Sequence, residues 1–381
     1  MRDEPYERLA DALDRLPNGF PRTDSGLEIR ILAKICSPRE AALAGFLTGT
    51  PEPVGAIAAR AGQPAGEVSR ALFALVRRGI VWLEKQDGEV RFRLAPFLVG
   101  IYEAQVESMD HELAHLVEDY LAGGGAQGIM QPQPALHRVL PADGAVKTEA
   151  ILPYDDVRAL LVDQKTFAVS ECICRLQQEQ LGEKCPYPTG VCLSFSGRER
   201  AHQPGDLTQA EALALLDMTE QVGLVHTVSN VTEGVGYVCN CCGCCCGILR
   251  GITDWGISDS VAYANYYAVI EPEFCSGCGT CIERCQVGAI SEGDGFSVVD
   301  RSRCIGCGLC VTGCPNDVAR LERKPEAEIV HPPRDFAEWE QRRLRNRNTP
   351  TGSAATAWTN ASALPSSREP RRTRGGGSDG G

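Results

Sequence analysis

Apolar and polar positions alternate along this chain in a definite order of helical and extended patterns. Residues 1–29 open with a short amphipathic stretch and run into a Pro/Gly loop. From Pro38 the apolar residues recur at helical spacing. PREAALAGFLTG predicts one helix, and PVGAIAARAG predicts a second, stopped by Gly62. PAGEVSRALFALVRRG predicts a third, with Leu72, Leu75 and Val76 on one face and Gly79 as its end. IVWLEKQDGEVRFRLA then changes to period two and predicts two strands around a turn at Asp87-Gly88. Residues 100–121 return to helical spacing, end in the run Gly123–Gly125, and give way to a Pro/Gln loop. Nowhere does an apolar run approach the roughly 18 residues that a membrane-spanning helix needs.

Three short helices and a hairpin over residues 36–98 resemble a winged-helix domain. The shifts in pattern and composition divide the α+β chain further. Residues 1–35 are an N-terminal helix and loop, and 99–149 a helix and linker. Residues 150–270 form a Cys-rich mixed segment, and 271–323 a compact Cys-rich repeat. Residues 324–381 are an Arg-rich tail, expected to be disordered because apolar periodicity stops near Trp339. Its arginines (Arg342, Arg343, Arg345, Arg347, Arg371, Arg372, Arg374) read first as a solvated tail, and otherwise as a contact for an acidic surface.

Charge narrows the function classes. A formal net charge of −12 argues against bulk binding to nucleic acid or anionic membrane. The first residues, MRDEPYERLADALD, are acidic and lack an apolar core, so no secretory signal is predicted and a cytoplasmic location is expected. The winged-helix-like segment is near neutral: Arg60, Arg70, Arg77, Arg78, Lys85, Arg91 and Arg93 face Glu40, Glu52, Glu67, Glu84, Asp87 and Glu89. Docking or dimerisation therefore fits it better than reading DNA, for which only Ser69 and Arg70 lie on the candidate recognition helix.

Cysteine changes the picture most. Of 19 cysteines, all but Cys36 fall between Cys172 and Cys314. In a reducing compartment such thiols serve metals more often than disulfides. Cys275-x2-Cys278-x2-Cys281-x3-Cys285 is repeated as Cys304-x2-Cys307-x2-Cys310-x3-Cys314, followed by Pro315. This is the spacing of bacterial two-cluster [4Fe-4S] proteins, in which the last Cys of each run serves the other cluster. One cluster is expected on Cys275, Cys278, Cys281 and Cys314, the other on Cys304, Cys307, Cys310 and Cys285. Gly277, Gly279, Gly306 and Gly308 leave backbone N–H groups free to approach sulfur, and the stretches Ala289-Ile290 and Phe296–Val299 predict a hairpin between the halves. The segment resembles the bacterial dicluster ferredoxins, with Gln286 standing where that family has Pro.

The middle segment is less regular. It holds Cys172, Cys174, Cys185 and Cys192, then Cys239, Cys241, Cys242, Cys244, Cys245 and Cys246 in CNCCGCCCG. Cys239, Cys242 and Cys245 have the register of a cubane loop, and Cys241 and Cys244 form a further C-x2-C pair. A third [4Fe-4S] cluster, a zinc site drawing on Cys185 and Cys192 with two later thiols, or a redox-sensing thiol group all fit. Arg175 and Arg250 could offset thiolate charge.

From about Tyr154 to Leu321 the chain resembles uncharacterised 4Fe-4S dicluster-domain proteins of anaerobic bacteria. The shared features are the C-I-C-R segment at Cys172, the run Val222-Gly223-Leu224-Val225-His226, the Cys239–Cys246 element and the final repeat. The resemblance implies an electron-transfer or redox accessory protein acting on a partner oxidoreductase. The alternatives are a redox-sensing transcription regulator and a subunit of a larger oxidoreductase. His226 is expected to be a hydrogen-bonded structural histidine rather than a ligand. His111 and His115 in HELAH match the H-E-x-x-H pattern of zinc proteases, but no third ligand follows. Cys36 reads as a small buried hydrophobe.

Overall fold

The N-terminal half is built on helices whose ends obey local chemistry. The computed structural model describes residues 4–146, 151–203 and 205–348. Helix α1 (Glu4–Asp14) buries Leu9 and Leu13 against α2 (Leu27–Ile35) and α3 (Pro38–Ala44). Ser37 and Glu40 form a capping box at the start of α3, satisfying amides the helix leaves unpaired. The short strand β1 (Glu52–Pro53) leads to α4 (Val54–Ala61), which ends at Gly62 in the left-handed region. Helix α5 (Ala65–Arg77) buries Val68, Leu72 and Leu75. Strands β2 (Val81–Gln86) and β3 (Glu89–Leu94) pair antiparallel around Asp87 and Gly88, both at positive φ, and β1 adds to the far side of β3. The second helix of the first segment, α2, lies where the sequence pattern gave only a loop. Its apolar residues Leu27, Ile31, Leu32 and Ile35 supply one continuous face.

The segment expected to be a single helix near residues 100–121 divides. An irregular turn over Phe97–Ile101 precedes α6 (His111–Tyr120), whose amides are capped by Asp110, and α7 (Ala126–Met130) follows. The expected linker then supplies β4 (His137–Leu140), one strand of the largest sheet.

That sheet comprises β4, β5 (Thr166–Glu171), β6 (Gly190–Ser196), β7 (Asp206–Leu207), β8 (Val225–Ser229) and β9 (Tyr237–Cys241), in the order β4-β8-β9-β6-β5-β7. Its strands pair antiparallel throughout. Side chains alternate between its faces. Leu140, Phe167, Leu193, Phe195, Val228 and Val238 pack with Ala212 and Leu216 of α9 (Gln209–Val222). Thr208 and Glu211 form a capping box that starts α9, and Gly223 ends it. The opposite face carries His137, Thr227, Ser229, Tyr237, Cys239, Cys241, Cys192 and Ser194. The register sets them side by side: His137 opposite Ser229, Thr227 opposite Cys239, Ser194 opposite Tyr237. Two short helices border this face, α8 (Ile173–Gln180) and α10 (Gly247–Thr253).

The C-terminal repeat is closed by β10 (Tyr266–Ile270) and β13 (Ala319–Arg323), paired antiparallel. Between them lie α11 (Thr280–Arg284), the hairpin β11 (Ile290–Glu292) with β12 (Ser297–Val299), and α12 (Leu309–Thr312). The expected boundary at residue 271 cuts off β10, which belongs to this sheet.

The tail also departs from expectation. Phe336–Asn348 is a helix, α13, with Trp339 and Arg343 buried. Arg343 is fully buried: its guanidinium donates to the carbonyls of Pro17 and Pro134 at 2.8 and 2.6 Å, and to those of Pro132 and Ile129. One arginine thus serves as a clamp for four carbonyls, a role invisible to apolar periodicity. Arg347 reaches Asp14 at 2.7 Å. The rest of the expected disordered tail, residues 349–381, lies outside the described residues.

Candidate metal centres

The eight cysteines of the repeat sit on loops whose backbone turns sharply. Gly277, Gly279, Gly306 and Gly308 all have φ between 66° and 77°. A Cβ on Gly306 would stand 2.5 Å from the Tyr266 carbonyl oxygen, so the tight approach requires glycine. Cys275, Cys278, Cys281 and Cys314 line one small cavity together with Ser276 and Ser297. Cys285 lies close enough to Cys307 and Cys310 for its charge, with that of Cys304, to raise both thiols. The Ala289 N–H donates to Cys285 Sγ at 3.1 Å and the Ala268 N–H to Cys304 Sγ at 3.4 Å. Such amide–sulfur contacts tune the potential of a cluster. Burial pushes the Cys307 thiol up to about 12, a cost that iron ligation would offset. The donor set fits two cubanes.

The ten middle thiols fall into two groups. Sγ atoms of Cys185, Cys242, Cys244 and Cys245 all lie within 4.8 Å of one another, the only such set of three or more metal-ligating groups among the described residues. Cys185 is 3.9 Å from Cys242 and 3.7 Å from Cys244, and Cys244 is 3.6 Å from Cys245. Hydrogen bonds from Cys185, Cys244 and Cys245 hold the Cys242 thiol far below its ordinary range.

The other six form a closed ring of side-chain contacts. Cys172 meets Cys174 and Cys192, Cys174 meets Cys246, Cys246 meets Cys241, Cys241 meets Cys239, and Cys239 returns to Cys192. All six line a space of about 80 Å³, whose wall also includes Cys242 and Cys245 of the four-thiol group. Hydrogen bonds from Cys239 and Cys246 bring the Cys241 thiol down to about 6. Cys239 therefore does not share a loop with Cys242 and Cys245, as C-x2-C-x2-C spacing suggests. It lies on β9, where period two sends Cys239 and Cys241 to one face, whereas Cys242 and its followers lie beyond the strand. Cys185 and Cys192 also separate, so the zinc set that joins them is not formed.

Arg175 stands between the groups, almost fully buried. Its Nη1 donates to the Pro188 carbonyl at 3.0 Å and its Nη2 to that of Asn240 at 2.9 Å, while its Nε is buried without a protein partner. Burial disfavours its charge, but the charges of Cys172, Cys242, Cys241 and Cys185 more than restore it. Arg250 instead pairs with Glu118 and Asp254.

Gln286, in sequence a departure from proline, joins the two regions. Its Oε1 accepts from the Gly243 N–H at 2.8 Å, between Cys242 and Cys244, and its Nε2 donates to the Gly223 carbonyl and the Tyr187 hydroxyl. A Cβ on Gly243 would meet the Gln286 carbonyl oxygen at 1.9 Å. Gln286 follows Cys285 directly, so the repeat docks on the four-thiol group through adjacent backbone.

His226 is buried on the α9 side, Nδ1 2.6 Å from Asn240 Oδ1 and Nε2 2.9 Å from Glu220 Oε1. It is the structural histidine the sequence suggests. The His111 and His115 rings stack edge to face on exposed turns of α6. Cys36 is buried, and burial raises its thiol to about 12.

Residues 272–319 match a family model described as the 4Fe-4S dicluster domain. The chain thus contains an iron–sulfur, ferredoxin-like domain. No curated protein and no solved structure matches the chain. No helix among the described residues is long and apolar enough to cross a membrane.

Proposed function

We propose that the chain is an iron–sulfur electron-transfer protein in which the dicluster repeat feeds a further centre in the middle segment. One [4Fe-4S] cluster is held by Cys275, Cys278, Cys281 and Cys314, the other by Cys304, Cys307, Cys310 and Cys285. Each supplies one-electron exchange. Cys185, Cys242, Cys244 and Cys245 hold a single zinc ion that pins the repeat to the sheet. The six-thiol ring of Cys172, Cys174, Cys192, Cys239, Cys241 and Cys246 holds a polynuclear iron–sulfur centre, from which electrons leave to a partner oxidoreductase. The setting is cytoplasmic, and the relation to dicluster-domain proteins of anaerobic bacteria agrees with it.

The observation that carries the middle-segment reading is sulfur spacing. A tetrahedral zinc with Zn–S of about 2.3 Å places its sulfurs about 3.8 Å apart. Three of the six sulfur pairs stand at 3.6–3.9 Å and all six lie within 4.8 Å, nearer that spacing than a cubane's. The terminal sulfurs of a cubane stand wider, at roughly 6 Å, because each holds its own iron corner. Residues Gln286 and Gly243 then explain why the four-thiol group lies where it does: it anchors the backbone contact.

Residues 36–98 serve in this reading as a winged-helix-like packing unit rather than a DNA reader. Arg60 pairs with Glu52, Arg78 with Glu40, Arg91 with Glu89, and Arg93 with Glu84 and Glu340. Four of the segment's seven basic residues named above are thus paired with carboxylates, leaving Arg70, Arg77 and Lys85. Retention on DNA at physiological salt that changes with cluster oxidation would instead favour the redox-sensing regulator.

Anaerobic purification with zinc, iron and acid-labile sulfide counts tests the proposal. It predicts about one zinc and clearly more than the roughly eight irons of two cubanes. Eight irons without zinc would remove both middle centres. About twelve irons without zinc would keep a third iron centre and remove the zinc site.

A further inference from the structure

We propose that the face of the six-thiol ring opposite Arg175 opens into a binding site for an uncharged, ring-containing organic molecule, which contacts the Cys192–Cys239 edge directly. This rests on the reading of the ring as a metal centre.

A partly open cleft of about 520 Å³ lies over the polar face of the large sheet. That volume falls in the range of small-molecule sites and far exceeds a packing defect. Its floor follows from strand periodicity. Cys192 and Ser194 of β6, Tyr237 and Cys239 of β9, and Ser229 of β8 all line it. Cys192 and Cys239 belong to the thiol ring as well, so a molecule in the cleft touches the ring without any rearrangement.

The roof comes from elsewhere in the chain. Trp82 of β2, Phe336 and Trp339 of α13, Leu136 and Val99 supply broad apolar surface. Flat aromatic walls of this kind suit a ring-containing guest. Val99 has φ 62° and ψ 51°, a conformation that a β-branched residue rarely adopts. Such strain concentrates where a wall must be held in place for a ligand.

Charge selects against anions. Glu103, Glu171 and Glu340 line the cleft, and its one arginine, Arg93, is already engaged by Glu84 at 2.9 Å and Glu340 at 3.1 Å. Among the described residues a phosphate or carboxylate would meet carboxyl groups and no unpaired cation there. A neutral guest finds hydrogen-bonding groups instead. The Tyr237 hydroxyl is 2.8 Å from His137 Nε2, His137 Nδ1 is 3.3 Å from Thr227 Oγ1, and Thr227 Oγ1 is 3.4 Å from Cys241 Sγ. This chain of polar contacts links the cleft wall to the far side of the thiol ring.

The test uses the anaerobically purified full chain and a matched pair of probes, 2-naphthol and 2-naphthoate. Saturation-transfer NMR reads binding, and line broadening after dithionite reduction reads proximity to a paramagnetic centre. The expected result is binding of 2-naphthol, at least tenfold weaker binding of 2-naphthoate, and extra broadening of bound 2-naphthol on reduction. Ser194→Trp, which fills the floor and spares every thiol, should abolish binding with metal content unchanged. If that variant loses metal, Ser170→Phe on the neighbouring strand carries the same test. Absence of 2-naphthol binding, or binding that survives a cleft-filling variant, would overturn the site. Binding that the variant blocks but reduction does not broaden would overturn the contact with the ring. Blocked binding in protein with only two cubanes' iron would keep the cleft and remove the middle centre.

Discussion

The dicluster repeat and the middle segment use the same side chain in opposite ways. The repeat presents its cysteines on loops at intervals of three, with glycines at positive φ between them. In the proposed assignment sequence neighbours therefore become ligand neighbours, and only the last cysteine of each run crosses over. The middle segment presents Cys192, Cys239 and Cys241 on strands, where the interval is two and partners come from other strands. Cys241 and Cys242 are adjacent in sequence yet join different groups. Cysteine spacing is thus readable as ligation only after the backbone type is known.

The largest effect that would sharpen this contrast lies in the loops. Cys307→Ala should remove about four irons per chain and leave zinc in place. Loss of zinc with the iron would mean that the two regions fold as one metal-dependent unit.

Acid should act on the strand region next. Burial pulls His137 down to about 4 from an ordinary 6.5. The unfolded chain then takes up a proton on His137 in this window while the folded chain does not. Stability is therefore full above about pH 6.5 and falls as pH drops toward 4, by about 3 kcal/mol at 1.36 kcal/mol per pH unit. Urea midpoints between pH 7 and 5 should show this slope, and His137→Gln should flatten it. An equal slope in the variant would assign the acid sensitivity elsewhere.

The contact between the regions is the third point. Gly243→Ala pushes a Cβ into the Gln286 carbonyl and should cost about 1–3 kcal/mol by overpacking. It should also speed zinc release to a chelator. Gln286→Ala removes hydrogen bonds from partly buried groups and should cost about 1 kcal/mol, read by the same urea titration. A Gly243→Ala protein as stable as the parent would show that the backbone approach has slack.

Much of the molecule was legible because its signals are local. The helices α3, α4 and α5, the Asp87-Gly88 turn and the eight-cysteine repeat each depend on residues within a few positions of one another. The six-and-four division was not legible, since CNCCGCCCG satisfies period two and period three at once, and β9 ends inside it. Helix α13 was hidden because an arginine, Arg343, fills its buried position, held by carbonyls that periodicity does not count. The cleft was hidden for a third reason: its floor and roof come from residues up to some three hundred positions apart, such as Leu16 and Trp339.

Metal content of two single variants, Cys239→Ala and Cys242→Ala, tests the division most directly. Their positions differ by three, as in a cubane loop. Cys242→Ala should lose zinc and keep its iron, and Cys239→Ala should lose iron beyond the two cubanes and keep its zinc. Loss of the same metal from both would place the two thiols on one centre and contradict the account.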